Sequence, residues 1–150
     1  MSEFLISKLS ELFGQNEYLF VYDVIAFLGW VNIVLALIAI ALFTFRRINR
    51  HVYANQQPFL KKLNKPLSKI HPYIGIALII SAYIHGDLAL GSMFRIHTGP
   101  LAWWIVVVMM LVALIGKKYR IKKWLPVHRV LAVLFVVSIV LHLFARNILG

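Results

Sequence analysis

Four stretches of this chain are each long and apolar enough to cross a lipid bilayer, and that limits the fold more than any other feature. They run approximately over Val24–Phe45, Pro72–Leu90, Pro100–Gly116 and Leu125–Phe144. A helix needs about 20 mostly apolar residues to cross the hydrocarbon core. A spanning segment must also satisfy its backbone polar groups internally, which helices do. The chain has only 150 residues, so the four stretches account for most of it. Hydrophobic residues make up 61% and charged residues 14%, against roughly half and a quarter in soluble domains. The expectation is an all-α membrane protein: a four-transmembrane-helix up-down bundle over residues 21–150. An amphipathic surface helix over residues 1–20 precedes it, with Phe4, Leu5, Leu9, Leu12 and Phe13 near one face. Residues 1–20 lack the basic start and unbroken apolar run of a signal peptide.

Charge then orients the bundle. The net charge is +11, but thirteen of the sixteen basic residues lie between the first and second stretches or around the turn between the third and fourth. All five acids (Glu3, Glu11, Glu17, Asp23 and Asp87) fall on the opposite side. The positive-inside rule places the basic side in the cytoplasm and both termini outside, in a bacterial-type cytoplasmic membrane. Contact with anionic membrane lipids accounts for such charge without a nucleic-acid partner. There are no cysteines, which excludes disulfides, cysteine–zinc sites, iron–sulfur clusters and thiol nucleophiles.

Chemistry is concentrated in histidines. The second stretch carries His71 and His85, the fourth carries His128 and His142, and both pairs are spaced H-x13-H. Fourteen residues are four turns at 3.5 residues per turn, so each pair shares one helix face. The second and fourth segments run parallel, which sets His71 opposite His128 near the cytoplasm and His85 opposite His142 nearer the outside. Two facing imidazoles at each of two depths suit two flat metallocycles stacked across the membrane. A lone zinc would want three or four converging ligands. Gly75 and Ala132 lie one turn past the inner histidines, where a macrocycle needs room, and Leu78 and Phe135 lie midway between the levels. Lys69 and Arg129, beside the inner histidines, and Arg95 and Arg146, outside, are candidate partners for haem propionates.

The run His71-Pro72-x-x-Gly75 with His85-Gly86, and Trp124-x-x-x-His128-Arg129 with His142, resembles the ferric-reductase-like transmembrane family of b-type cytochromes. It covers about residues 69–146. The equal spacings are also similar to the haem-bearing half of respiratory di-haem cytochrome b. The resemblance implies two haem b groups, with His71 and His128 ligating the inner one and His85 and His142 the outer one. It also implies electron transfer across the bilayer; a membrane potential negative inside favours outward flow, from a cytoplasmic or quinol donor to an external acceptor such as ferric iron, oxygen or a redox partner protein. No glycine-rich nucleotide fingerprint is present, so the chain does not itself draw hydride from a soluble cofactor. A membrane anchor subunit for a redox partner and a small proton or metal transporter are the alternatives. The sequence leaves open a homo-oligomer and whether the chain is an enzyme in its own right.

Overall fold

The computed structural model describes residues 3–14 and 16–145, and leaves aside the side chains of residues 3–6 and 9. It is all α-helical. Helix α1 spans Glu3–Leu12, α2 Glu17–His51, α3 Pro58–Leu90, α4 Thr98–Lys118 and α5 Trp124–Phe144. The four longer helices are the four spans, and the protein is an integral membrane protein. Only 6–22% of each apolar window is buried within the chain, so most of its apolar side chains face outward, as lipid contact requires.

The ends of the elements follow local chemistry. α1 stops before Gly14, which takes φ +62°. Asn16 then caps α2, accepting a hydrogen bond from Tyr18 N at 3.0 Å. The surface-helix expectation therefore divides, with residues 17–20 forming the first turn of α2. Leu12 and Phe13 are exposed, while Phe4, Leu5 and Leu9 have side chains outside the described residues. α3 ends on Gly91 at φ +70°, a left-handed cap that suits glycine.

The largest departure from the sequence reading is helix length. The apolar pattern marks Val24–Phe45 and Pro72–Leu90, but α2 has 35 residues and α3 has 33. At 1.5 Å per residue these are about 50 Å long, against about 31 Å for α4 and α5. The polar segment 46–70 is thus a helical hairpin and not an open loop. Its turn, 52–57, is tied by Asn49, whose backbone oxygen accepts from Asn55 N at 2.7 Å and whose Oδ1 accepts from Gln57 N at 3.3 Å. Arg46 Nη2 donates to Ser68 Oγ at 2.6 Å across the two helices. Pro72 does not start a helix. Like Pro66 it lies inside α3. Pro100 and Pro126 do fall in first turns, where their missing N–H groups would have had no helical partner.

α2 packs along α3 and α4 along α5, with a lesser contact between α3 and α4. The two histidine-bearing helices, α3 and α5, do not pack closely on each other. One small buried cluster joins the bundle at mid-height: Ala36, Leu78, Ala102, Val106 and Phe135.

Candidate functional site

All four span histidines meet in the pairs that their spacing predicts. The rings of His71 and His128 lie 6.2 Å apart, centre to centre, with their planes at 71°. Those of His85 and His142 lie 6.4 Å apart, with planes at 90°. Fourteen residues separate the two levels on each helix, about 21 Å of rise. Neither pair is stacked face to face, which would close off the space between the rings.

In two of the rings Nδ1 is bonded by a backbone carbonyl of the neighbouring helix. His85 Nδ1 lies 2.9 Å from the Ile25 carbonyl on α2. His128 Nδ1 lies 3.1 Å from the Met109 carbonyl on α4. A carbonyl only accepts, so in both residues Nδ1 carries the proton and Nε2 keeps its lone pair. His71 Nδ1 is buried and faces the Ala39 backbone without closing a hydrogen bond of good geometry. Ile25 and Ala39 are 14 residues apart on α2, the interval that separates the two histidines they face on α3. α2 thus carries no histidine in the span but repeats the histidine period in its backbone contacts.

The fourth ring is different. His142 Nδ1 lies 3.0 Å from Thr98 Oγ1, a side-chain hydroxyl. Thr98 is 1% exposed, the most fully buried side chain described. It opens α4, and the preceding residue, His97, supplies the cap through Nδ1, which accepts from Gly99 N at 3.4 Å. His97 also sits edge-on to His142, ring centres 6.0 Å apart.

Two glycines bring backbone up to the outer rings. A Cβ at Gly29 would lie 3.3 Å from His85 Cε1, and one at Gly99 would lie 3.1 Å from His142 Cε1. Sequence reading missed both, along with Thr98 and the three backbone contacts. Thr98 had a readable signal: a small hydroxyl residue at the start of the third span, level with His142 at the end of the fourth. Backbone carbonyls have no sequence signature.

The remaining candidates divide. Leu78 and Phe135 lie between the two histidine levels, as their positions predict, within the buried cluster. Ala132 is half-buried. Gly75 approaches α4, where its Cβ would meet Met110 Cε at 3.3 Å. Lys69, Arg129 and Arg95 are exposed, and Arg146 lies outside the described residues. Trp103 belongs to the bundle, with its indole N–H donating to the Ile79 carbonyl at 2.9 Å. Trp124 sits edge-on to His128 at 6.1 Å. The Asn32 side-chain oxygen is buried with no hydrogen-bond partner. His51 ends α2, exposed.

Chemically, each pair offers two facing imidazoles. Among the described residues no three His, Asp or Glu side chains converge as a metal cage. Two imidazoles bound to one metal ion at about 2.0–2.1 Å each, with roughly 1.2 Å from nitrogen to ring centre, have centres up to roughly 6.4–6.6 Å apart. Both observed separations lie at or just under that range. No family model, curated protein or solved structure matches the chain.

Proposed function

We propose that the protein is a membrane b-type cytochrome that passes electrons across the bilayer through two bis-histidine haem sites. The observation that carries this reading is the pair of facing imidazole pairs, at two depths, each close enough for both rings to hold one metal. His71 and His128 would hold the inner haem, and His85 and His142 the outer one. When bound, haem supplies reversible one-electron chemistry. It is the likeness to the ferric-reductase-like cytochromes, in His71-Pro72-x-x-Gly75 and in Trp124-x-x-x-His128-Arg129, that names haem among flat metallocycles.

The chain's own residues do three things in this account. Ile25 and Met109 hold Nδ1 protonated and so direct Nε2 of His85 and His128 toward the site, as metal-ligating histidines usually require. Held by both imidazoles of a pair, a bound haem would supply electron transfer rather than oxygen binding. Leu78 and Phe135, with Ala36, Ala102 and Val106, keep the region between the levels free of water. That dry cluster counts against a proton or metal path, which would need polar lining. A membrane potential negative inside would favour outward electron flow by about 2.3 kcal/mol per charge per 100 mV. The donor is then cytoplasmic or a quinol, and the acceptor external.

Proteoliposomes loaded with ferricyanide test this reading. External dithionite should bleach the trapped dye faster with the haem-loaded protein than in bare vesicles; equal rates would contradict transmembrane transfer. The proposed orientation, with both termini outside, has its own test. The chain has no cysteine, so Lys122→Cys and Ser92→Cys are single labels. In intact cells an impermeant maleimide should label the second and spare the first. The reverse pattern would invert the topology.

Thr98 supports the outer site alone. In Thr98→Val the His142 ring loses its hydroxyl partner at nearly constant volume, and the outer haem should bind about 10–100-fold more weakly. Thr98→Ser should restore it, and the inner haem should be unaffected. Equal weakening at both sites would mean a general packing effect.

A further inference from the structure

The cytoplasmic ends of the four spans are not level. From the level of the inner histidines, α3 runs 13 residues beyond His71 to Pro58, about 20 Å, whereas α5 runs four residues beyond His128 to Trp124, about 6 Å. The headgroup layer on one side of a bilayer is only about 5–7 Å deep. Lys65 and Lys69 fall inside it. Arg46, bonded to Ser68 between those two lysines, lies at the same level with Arg47 beside it, while Arg50, Lys61 and Lys62 lie further out on the hairpin; all five are exposed. At the foot of this wall the α4–α5 turn presents Lys117, Lys118, Arg120, Lys122 and Lys123, also exposed, near the headgroup level. No Asp or Glu occurs anywhere from residue 24 to residue 86 or after residue 87. The result is a step, with a high basic wall beside a low basic floor.

Anionic lipid accounts for the floor and the base of the wall, but does not reach the upper wall. That part also carries apolar side chains in water: Val52 and Phe59 are each 68% exposed, and Tyr53 stands between them in the chain. Cations ringing exposed aliphatic and aromatic groups match a protein surface of opposite sign with an apolar centre. The low side of the step is where the inner histidines are nearest the cytoplasm. α5 begins four residues before His128, about 6 Å of rise.

We propose that this step docks a soluble cytoplasmic protein bearing a carboxylate-rich face around an apolar centre. The task assigned to that protein, one-electron donation to the inner pair, rests on the two-haem reading, while the docking itself does not. The reductant is the reduced carrier protein, oxidised by one electron in each productive encounter.

The test uses the full chain in nanodiscs of phosphatidylcholine, which has no net charge, with a fluorescent plant-type ferredoxin as the acidic carrier. Binding should be measurable at low salt and fall steeply as salt rises. Arg50→Glu, Lys61→Glu and Lys62→Glu together should slow association at least about 10-fold. Phe59→Ser, which leaves the charge unchanged, should weaken binding about threefold or more. These positions are exposed on the hairpin, so circular dichroism should show an unchanged helix content. Absence of binding would overturn the proposal. So would a null effect of Phe59→Ser, which would reduce the step to undirected charge. If the triple variant lost only its affinity for phosphatidylglycerol vesicles, or only self-association, the occupant would be lipid or a second copy and the proposal would fall. Binding is read without haem, so a chain that docks ferredoxin but carries no haem would overturn the electron-transfer reading alone.

Discussion

Replacing His128 with glycine should leave a protein that retains one haem in place of two, and His71→Gly should remove the same one. His85→Gly and His142→Gly should each remove the other. The expectation follows from the pairing: His71 faces His128 at 6.2 Å and His85 faces His142 at 6.4 Å, with no third ligand at either level among the described residues. Losing one of two axial ligands should weaken that haem by at least about 100-fold, since second-shell losses alone cost 10–100-fold. Added imidazole should restore the six-coordinate spectrum of a glycine variant, because the ring, not the backbone, is missing. His51→Gly should keep both haems. The measurement is the haem-to-protein ratio of each purified variant. Loss of both haems from every single variant would mean that the histidines hold the fold rather than individual cofactors. A histidine variant with both haems intact would remove that residue from the ligand set.

Gly29→Leu should be almost as damaging, although residue 29 is neither a ligand nor charged. A Cβ there already stands 3.3 Å from His85 Cε1, and the further atoms of leucine would need the space the ring occupies. The ring cannot withdraw without giving up its 2.9 Å hydrogen bond to Ile25. Overpacking at a closely fitted contact typically costs about 1–3 kcal/mol. The outer haem should therefore be lost or high-spin, while the inner haem, about 21 Å away along the helix, keeps its spectrum. Gly29→Ala should be mild, requiring a yield of a few tenths of an ångström. Redox-titrated spectra distinguish the two sites. An unaltered outer haem in Gly29→Leu would mean that the His85 ring does not depend on the close approach of α2.

Much of this was legible in the sequence, because two periods carry it. Apolar runs of bilayer length identified four spans, and the repeated fourteen-residue interval set the four histidines on facing sides at two levels. Both readings rest on helix geometry, which is insensitive to detail. Other features depend on contacts that a sequence does not display. The stretch from Arg46 to Ile70 is polar and contains Pro66, so hydropathy ends the spans there, yet the helices continue outside the apolar core as a hairpin tied by Asn49. Pro72 opens the second apolar run, where a missing N–H would cost nothing at a helix start, and it proves to lie inside α3. Gly75 was read as room for a macrocycle, and its open side is turned toward Met110. Gly29, Gly99 and the carbonyls of Ile25 and Met109 act through backbone on helices that hold no span histidine, so no residue type marks them.

The visible spectrum of the purified chain, oxidised and reduced, together with its haem-to-protein ratio, tests the central claim most directly. The account predicts two b-type haems per chain, six-coordinate in both states. A colourless protein from cells with ample haem would contradict it, and the paired imidazoles would then belong to packing or to a transport path.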